Sequence, residues 1–263
     1  MAVLRVDFLS EMLCMQTNIT VVIPSRDFNN PNEKEENPYR EGYKYQTLYL
    51  LHGGTGDDLD YMTFTSIARY AMENHIAVVM PSAYNMFYAD REGGKFFSFI
   101  NEELPRFCEY MFPLSPRRED RYVGGLSMGC AGAIKSALFY PEQYEGVLAM
   151  SSSSALTDTY GKSKAGPALF NANRIPGEAA RNCSRAEQNI AEKKPLPKFY
   201  MTVGGDDFCY EKMKENGDYL KDLGYQVEWR EIPGYKHQWE FWDQTLKYAL
   251  DEWLPLKREQ VAL

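Results

Sequence analysis

The chain has 263 residues, and its 29 Lys plus Arg stand against 37 Asp plus Glu, a formal charge of −8. At 44% apolar and 25% charged it has enough apolar surface to offset chain entropy, which excludes a disordered chain; 19 Gly and 5 Cys exclude collagen-like and disulfide-scaffold proteins. The acidic balance argues against a nucleic-acid partner, because neutralising phosphates takes clustered Lys and Arg. No stretch of roughly 18 uncharged apolar residues occurs, so no membrane partner is expected. Arg5, Asp7 and Glu11 interrupt what would have to be the apolar core of a secretory signal. Cys14, Cys108, Cys130, Cys183 and Cys209 are odd in number and lack any CxxC spacing. That pattern suits reduced thiols in a cytoplasmic protein, and no metal is expected.

Ala2 to Leu9 and Thr17 to Pro24 read as two strands of a hairpin, followed by a polar loop over residues 25–44. Gln46 to Leu51 and Ile76 to Pro81 read as fully buried strands, with a helix at Thr63 to Asn74 between them. A second helix is expected at Phe96 to Phe112, a strand at Arg121 to Gly125, a helix at Met128 to Tyr140 and a strand at Gly146 to Ser151. The remaining strands fall at Lys198 to Val203 and Gln226 to Ile232, and the remaining helices at Tyr210 to Leu223 and Gln238 to Leu254. Apolar strands alternating with amphipathic helices imply an α/β fold, a mostly parallel central sheet with helices on both faces. The segment 155–197 breaks the alternation and reads as a loop or helical, lid-like insertion within one domain spanning 1–263.

In such sheets ligands sit at the carboxyl ends of the strands, so the residues just past each strand carry the chemistry. After Arg121 to Val123 the chain reads GGLSMG, which contains G-x-S-x-G at Gly125 to Gly129. Composition alone would give this string in about one chain in ten of this length, so its place between a strand and a helix is what makes it specific. Glycines two residues either side let Ser127 stand on a tight turn with its hydroxyl in the cleft. A serine hydroxyl needs a base to become a nucleophile. Of the three histidines His237 alone follows Ser127, as the chain order serine, acid, histidine requires. The acid belongs after the strand Lys198 to Val203, where Asp206 and Asp207 compete. Strand Gln46 to Leu51 ends in HGGTG, whose Gly54 N–H, with the Met128 N–H, is expected to form an oxyanion hole. His52 reads as a structural pin for that loop. Gly53 and the rim residues Tyr84, Tyr88 and Asp90 are candidate substrate contacts, and Trp239 and Trp242 read as packing of the final helix.

The segments TLYLLHGGTGDD, IAVVMPSAYNMFYAD, FINEELPRF, RYVGGLSMGCAGAIKSALFYPEQYEGVLAMSS, GGDDF and GYKHQWEFW resemble the esterase D and tributyrin esterase group of α/β-hydrolases. That group includes feruloyl and acetyl-xylan esterase-type domains. The resemblance runs from Gln46 to Leu254 apart from the 155–197 segment. It implies an α/β-hydrolase fold with a small insertion over the active-site edge, and a serine carboxylesterase without cofactor. It also implies a small-molecule ester substrate, a homo-oligomer, and Asp207 as the acid of the triad. The sequence departs from the group at Cys130, where glycine usually follows S-M-G. Its HGGTG loop also lacks the S-G-L-T-C of S-formylglutathione hydrolases, which lowers that substrate. The function expected is hydrolysis of short-chain acyl (acetyl to butyryl) or small sugar and alcohol esters. Feruloyl esterase is the alternative, ahead of S-formylglutathione hydrolase or acyltransferase.

Overall fold

The computed structural model describes residues 1–25, 42–152, 155–156 and 175–257, and the backbone of 261–262. Eight strands form the main sheet: β1 (Ala2–Ser10), β2 (Met15–Ile23), β3 (Gln46–Leu51), β4 (Ile76–Pro81), β5 (Arg121–Leu126), β6 (Gly146–Met150), β7 (Lys198–Gly204) and β8 (Val227–Ile232). Their order across the sheet is β1-β2-β4-β3-β5-β6-β7-β8. The β1–β2 hairpin joins antiparallel through β2 and β4, and every pairing from β4 to β8 is parallel. This is the α/β-hydrolase arrangement.

The parallel strands are buried on both faces, as their unbroken apolar runs require. Successive residues of β3 show the division. Tyr49 and Leu51 face one core, with Val79, Val123, Ile134 and Met201; Leu48 and Leu50 face the other, with Val78, Tyr122, Phe241 and Leu246. The first core is covered by α3 (Leu104–Met111), α4 (Met128–Phe139), α5 (Glu178–Ala191) and α6 (Tyr210–Asp222), which contribute Cys108, Ala137, Ala186 and Met213. The second is covered by α1 (Asp60–Phe64), α2 (Ile67–Glu73) and α7 (Trp239–Tyr248), with Tyr61, Ile67 and Trp242.

Most of the 155–197 segment that is described belongs to the framework. Helix α5 is the crossover between β6 and β7. The Asn189 side-chain amide donates to Leu138 O at 2.7 Å, Lys135 pairs with Glu178 at 2.6 Å, and Asn182 donates to Ala155 O at 2.8 Å. The lid-like part of the expectation falls on residues 157–174, outside the described residues.

Candidate active site

Parallel register brings the strand ends to one edge. Leu51 pairs with Gly125, Leu126 with Met150, Met150 with Thr202 and Gly204 with Ile232. The residues that follow these partners are the HGGTG loop, Ser127, Ser151, Asp207 and His237.

Ser127 connects β5 to α4 with φ 54° and ψ −116°. A side chain in that region costs on the order of 1–3 kcal/mol, so the surroundings must hold it there. The Ser127 N–H donates to Met150 O at 2.9 Å. The Tyr61 hydroxyl ties the flanking strand ends, donating to Leu51 O at 2.9 Å and accepting from the Leu126 N–H at 3.1 Å. The two motif glycines are steric necessities. A Cβ on Gly125 would lie 2.5 Å from the Gly129 carbonyl carbon and 2.7 Å from Leu51 O, and one on Gly129 would run into the Leu51 and His52 carbonyl oxygens. Met128 opens α4, where a first-turn N–H has no intrahelical acceptor.

Asp207 and His237 meet directly. The His237 Nδ1 lies 3.0 Å from Oδ2 and 3.2 Å from Oδ1 of Asp207. Because a carboxylate can only accept, Nδ1 carries the ring proton and Nε2 is left as an acceptor. The Asp207 side chain is fully buried, and the Cys209 N–H donates to its Oδ1 at 2.8 Å. Burial pushes the Asp207 carboxyl up, but hydrogen bonds from His237, Cys209 and Ser151, with the charge attraction of His237, outweigh it and hold the group below the ordinary carboxylate range. Asp206 is exposed and uses its N–H on Tyr235 O at 2.9 Å. Of the two carboxylates, Asp207 is the one in contact with His237.

A chain of contacts joins Ser127 to this pair. Ser127 is bonded to Met150; the next residue, Ser151, hydrogen-bonds Asp207 and accepts from Trp242 Nε1 at 3.2 Å. The Trp242 ring meets His237 edge-on, with centroids 4.8 Å apart. Trp242 therefore does more than pack α7, as the sequence suggested: it walls the imidazole. Phe208, 75% exposed, has its ring 4.6 Å from His237 on the open side. Nothing in the sequence pointed to Phe208, since an exposed aromatic after an acid leaves no periodic signal.

His52 is the structural pin expected. Its Nδ1–H donates to Gly53 O at 2.7 Å, its Nε2 accepts from the Ala83 N–H at 2.9 Å, and its carbonyl accepts the Tyr88 hydroxyl at 2.9 Å. Burial holds its pKa below the ordinary 6.5, against the opposing bond to Gly53. The loop it anchors carries Gly54, half-buried, beside Thr55, whose N–H donates to Asn85 Oδ1 at 2.7 Å. Gly53 is buried, and a Cβ there would lie 2.5 Å from Leu126 Cδ1 and 3.6 Å from Ser127 Cβ. Gly53 therefore permits the close approach of the loop to the serine.

One of the expected rim contacts needs correction. Tyr88 is fully buried, with its hydroxyl committed to His52. Asp90 is exposed, but its carboxylate takes the Ser98 N–H at 2.9 Å and the Ser98 hydroxyl at 2.6 Å, steadying the helical turn at Phe96–Ser98. Tyr84, 46% exposed, keeps a free face. Among the described residues, the one group of three side chains close enough to hold a metal is Asp207, Cys209 and His237.

The sheet order and a serine on a strained strand-to-helix turn define an α/β-hydrolase of the serine hydrolase class. The chain matches the esterase family model, described as "Putative esterase", over residues 28–252, and it belongs to that family. It is 31% identical over 267 residues to an acetyl esterase of Caldicellulosiruptor saccharolyticus, covering 97% of this chain and 98% of that one. Two solved structures from Staphylococcus aureus superpose with a TM-score of 0.81. One is the fluorophosphonate-binding serine hydrolase FphF in a substrate-bound state, 27% identical over 96% of this chain and 98% of the other. The second is the S-formylglutathione hydrolase FrmB, 26% identical with the same coverage. The protein is a carboxylic ester hydrolase.

Proposed function

We propose that the protein hydrolyses short-chain acyl esters, acetyl to butyryl, or small sugar and alcohol esters, through a triad of Ser127, His237 and Asp207. The observation that carries this reading is the Asp207–His237 contact, which leaves Nε2 as a proton acceptor on the edge where Ser127 is held in its strained turn. The Ser127 hydroxyl attacks the ester carbonyl as His237 Nε2 takes its proton. The negative charge that develops on the carbonyl oxygen is met by the Gly54 and Met128 N–H groups, each worth on the order of 3 kcal/mol in the transition state. The imidazolium, steadied by Asp207, protonates the departing alcohol, and an acyl-enzyme remains. Water then attacks with the same base and releases the acid. No cofactor enters these steps.

Similarity to an acetyl esterase over nearly the whole of both chains supports the short acyl group. Phe208 and Tyr84 are the exposed aromatics beside the edge, and they are the surfaces against which a substrate would lie. Five cysteines, odd in number and without CxxC spacing, support a reducing, cytoplasmic compartment, and the family resemblance supports a homo-oligomer. No helix among the described residues is long and apolar enough to cross a membrane.

The test is an ester panel of p-nitrophenyl acetate, p-nitrophenyl butyrate, methyl ferulate and S-formylglutathione. It is run on the wild type and on Ser127→Ala, Asp207→Asn and Asp206→Asn. Acetate and butyrate should turn over fastest. Ser127→Ala should lose the activity, and Asp207→Asn should lose about 10⁴-fold in kcat while Asp206→Asn stays within a few-fold of wild type. Methyl ferulate or S-formylglutathione as the preferred substrate would replace the acyl assignment. Full activity in Ser127→Ala would remove the triad.

A further inference from the structure

Asp207, Cys209 and His237 bring a carboxylate oxygen, a thiol sulfur and a ring nitrogen within 4.8 Å of one another. Ester hydrolysis through the triad uses the carboxylate and the ring and has no task for the sulfur. Cys209 is 2% exposed, and its Sγ lies 4.0 Å from His237 Nδ1. The turn after β7 makes this placement: the Cys209 N–H that holds Asp207 Oδ1 at 2.8 Å also sets the Cys209 side chain beside the ring.

The spacing suits a tetrahedral ion. Zinc, with sulfur at about 2.3 Å and nitrogen or oxygen at about 2.0 Å, holds S and N about 3.6 Å apart and O and N about 3.3 Å apart. Here the sulfur stands 4.0 Å from Nδ1, and the nearer carboxylate oxygen 3.0 Å. The two pairs that include the nitrogen need shifts of a few tenths of an ångström, and the sulfur and the carboxylate oxygen, within 4.8 Å of each other, close by up to about 1 Å. A thiolate, a carboxylate and a neutral imidazole together carry two negative charges, which a divalent ion cancels, so the filled site adds no net charge to a buried setting. His237, whose side chain is 20% exposed, is the open wall through which an ion enters.

We propose that Asp207, Cys209 and His237 form an inhibitory site for a soft divalent cation such as zinc or cadmium; the inhibition, though not the binding, rests on the triad reading above. The metal takes the Nδ1 lone pair, one Asp207 oxygen and the Cys209 sulfur. The thiol proton passes to water. The ring proton leaves Nδ1, and Nε2 acquires one, so one proton is released per ion bound. A neutral imidazole holding a metal on Nδ1 carries its single proton on Nε2. It cannot take the Ser127 proton, and hydrolysis stops until the ion leaves.

Cadmium chloride is the binding probe, read by the thiolate-to-cadmium charge-transfer absorption in the ultraviolet. The band should appear in wild type, in Ser127→Ala and in Cys14→Ser, which removes the exposed thiol. It should be lost in Cys209→Ala and Cys209→Ser, two variants whose folding is checked by circular dichroism. Zinc chloride is then titrated against p-nitrophenyl acetate hydrolysis, each variant scaled to its own metal-free rate. Both Cys209 variants should need more zinc for half-inhibition by no less than the roughly 10–100-fold that loss of an outer-shell partner costs a metal site, and a chelator should restore the wild type. No cadmium band, a band that survives in both Cys209 variants, or equal zinc sensitivity in all proteins would overturn the site. A Cys209-dependent band in a protein that hydrolyses no ester would instead keep the site and dismiss the triad.

Discussion

At His52 one imidazole ties two stretches of backbone, and its protonation state is fixed by them. Nε2 must stay bare to accept the Ala83 N–H, while Nδ1–H serves Gly53 O. A second proton would break the bond to Ala83, and burial opposes the added charge, so the folded pKa lies below 6.5. Above pH 6.5 folded and unfolded chains both hold a neutral ring, and the pin contributes fully. Below it the unfolded chain takes up a proton that the folded chain refuses, and stability falls by up to about 1.4 kcal/mol per pH unit until the folded pKa is reached. His52→Gln should therefore be less stable than wild type at pH 8 by about 1–3 kcal/mol, and the gap should narrow between pH 6.5 and 5 in urea denaturation. A gap that is constant or widens on acidification would show that His52 protonates in place. Chain order was enough to set His52 aside as the base. The fate of Tyr88 was hidden, because Tyr84, Phe87 and Tyr88 all adopt positive φ, near 50°. Such a run of left-handed non-glycine residues has no sequence mark, and it turns Tyr88 inward where alternation would have left it on the rim.

Elements followed their apolar runs closely, and the departures have local causes. The single helix expected at Thr63 to Asn74 is two, α1 and α2. Thr65 separates them, since its hydroxyl donates to Tyr61 O at 2.5 Å and accepts the Ile67 N–H at 3.2 Å, closing one helix and opening the next. The helix expected at Phe96 to Phe112 contains a wide turn at Phe99–Glu103 ahead of Pro105, which has no N–H to return to Asn101 O. The strand-to-helix turn at Ser127 was legible because its steric demand appears as two glycines at fixed spacing. The two demands on glycine at this edge are unequal. A methyl on Gly129 meets backbone carbonyls of β3 and its following residue, which cannot move without shifting the sheet, whereas one on Gly53 meets the tip of the Leu126 side chain. Gly129→Ala should destabilise by about 3 kcal/mol or more and abolish hydrolysis, while Gly53→Ala should stay within about 1–2 kcal/mol as Leu126 rotates away. Thermal melts and p-nitrophenyl acetate rates measured side by side decide this. An equal penalty in both would mean that the Leu126 side chain is as rigid as the backbone.

Across the whole molecule, three segments distant in sequence supply Ser127, Asp207 and His237, and the parallel register alone brings them to one edge. Their residue types and chain order could be read from the sequence; the contact of Asp207, rather than Asp206, with His237, and the placing of Trp242, Phe208 and Cys209 around the ring, depend on turn geometry after β7 and β8 that no periodicity encodes. The same sheet has a consequence for stability. Every strand from β3 to β7 contributes to both cores, so neither face can melt while the other keeps its strands, and the chain should unfold as one cooperative domain. Two probes separate the faces. Trp242 and Trp253 lie in the second core with Trp239 packed against it, so three of the four tryptophans report there. Cys108 and Cys130 are fully buried in the first core, with thiols that burial pushes well above their ordinary range, so they are unreactive until that face opens. Urea unfolding followed by tryptophan fluorescence and by a brief pulse of thiol-reactive label on Cys108 and Cys130 should give one midpoint. A label midpoint lying clearly below the fluorescence midpoint would mean that the face bearing α3 to α6 opens on its own, and that the chain is not one folding unit.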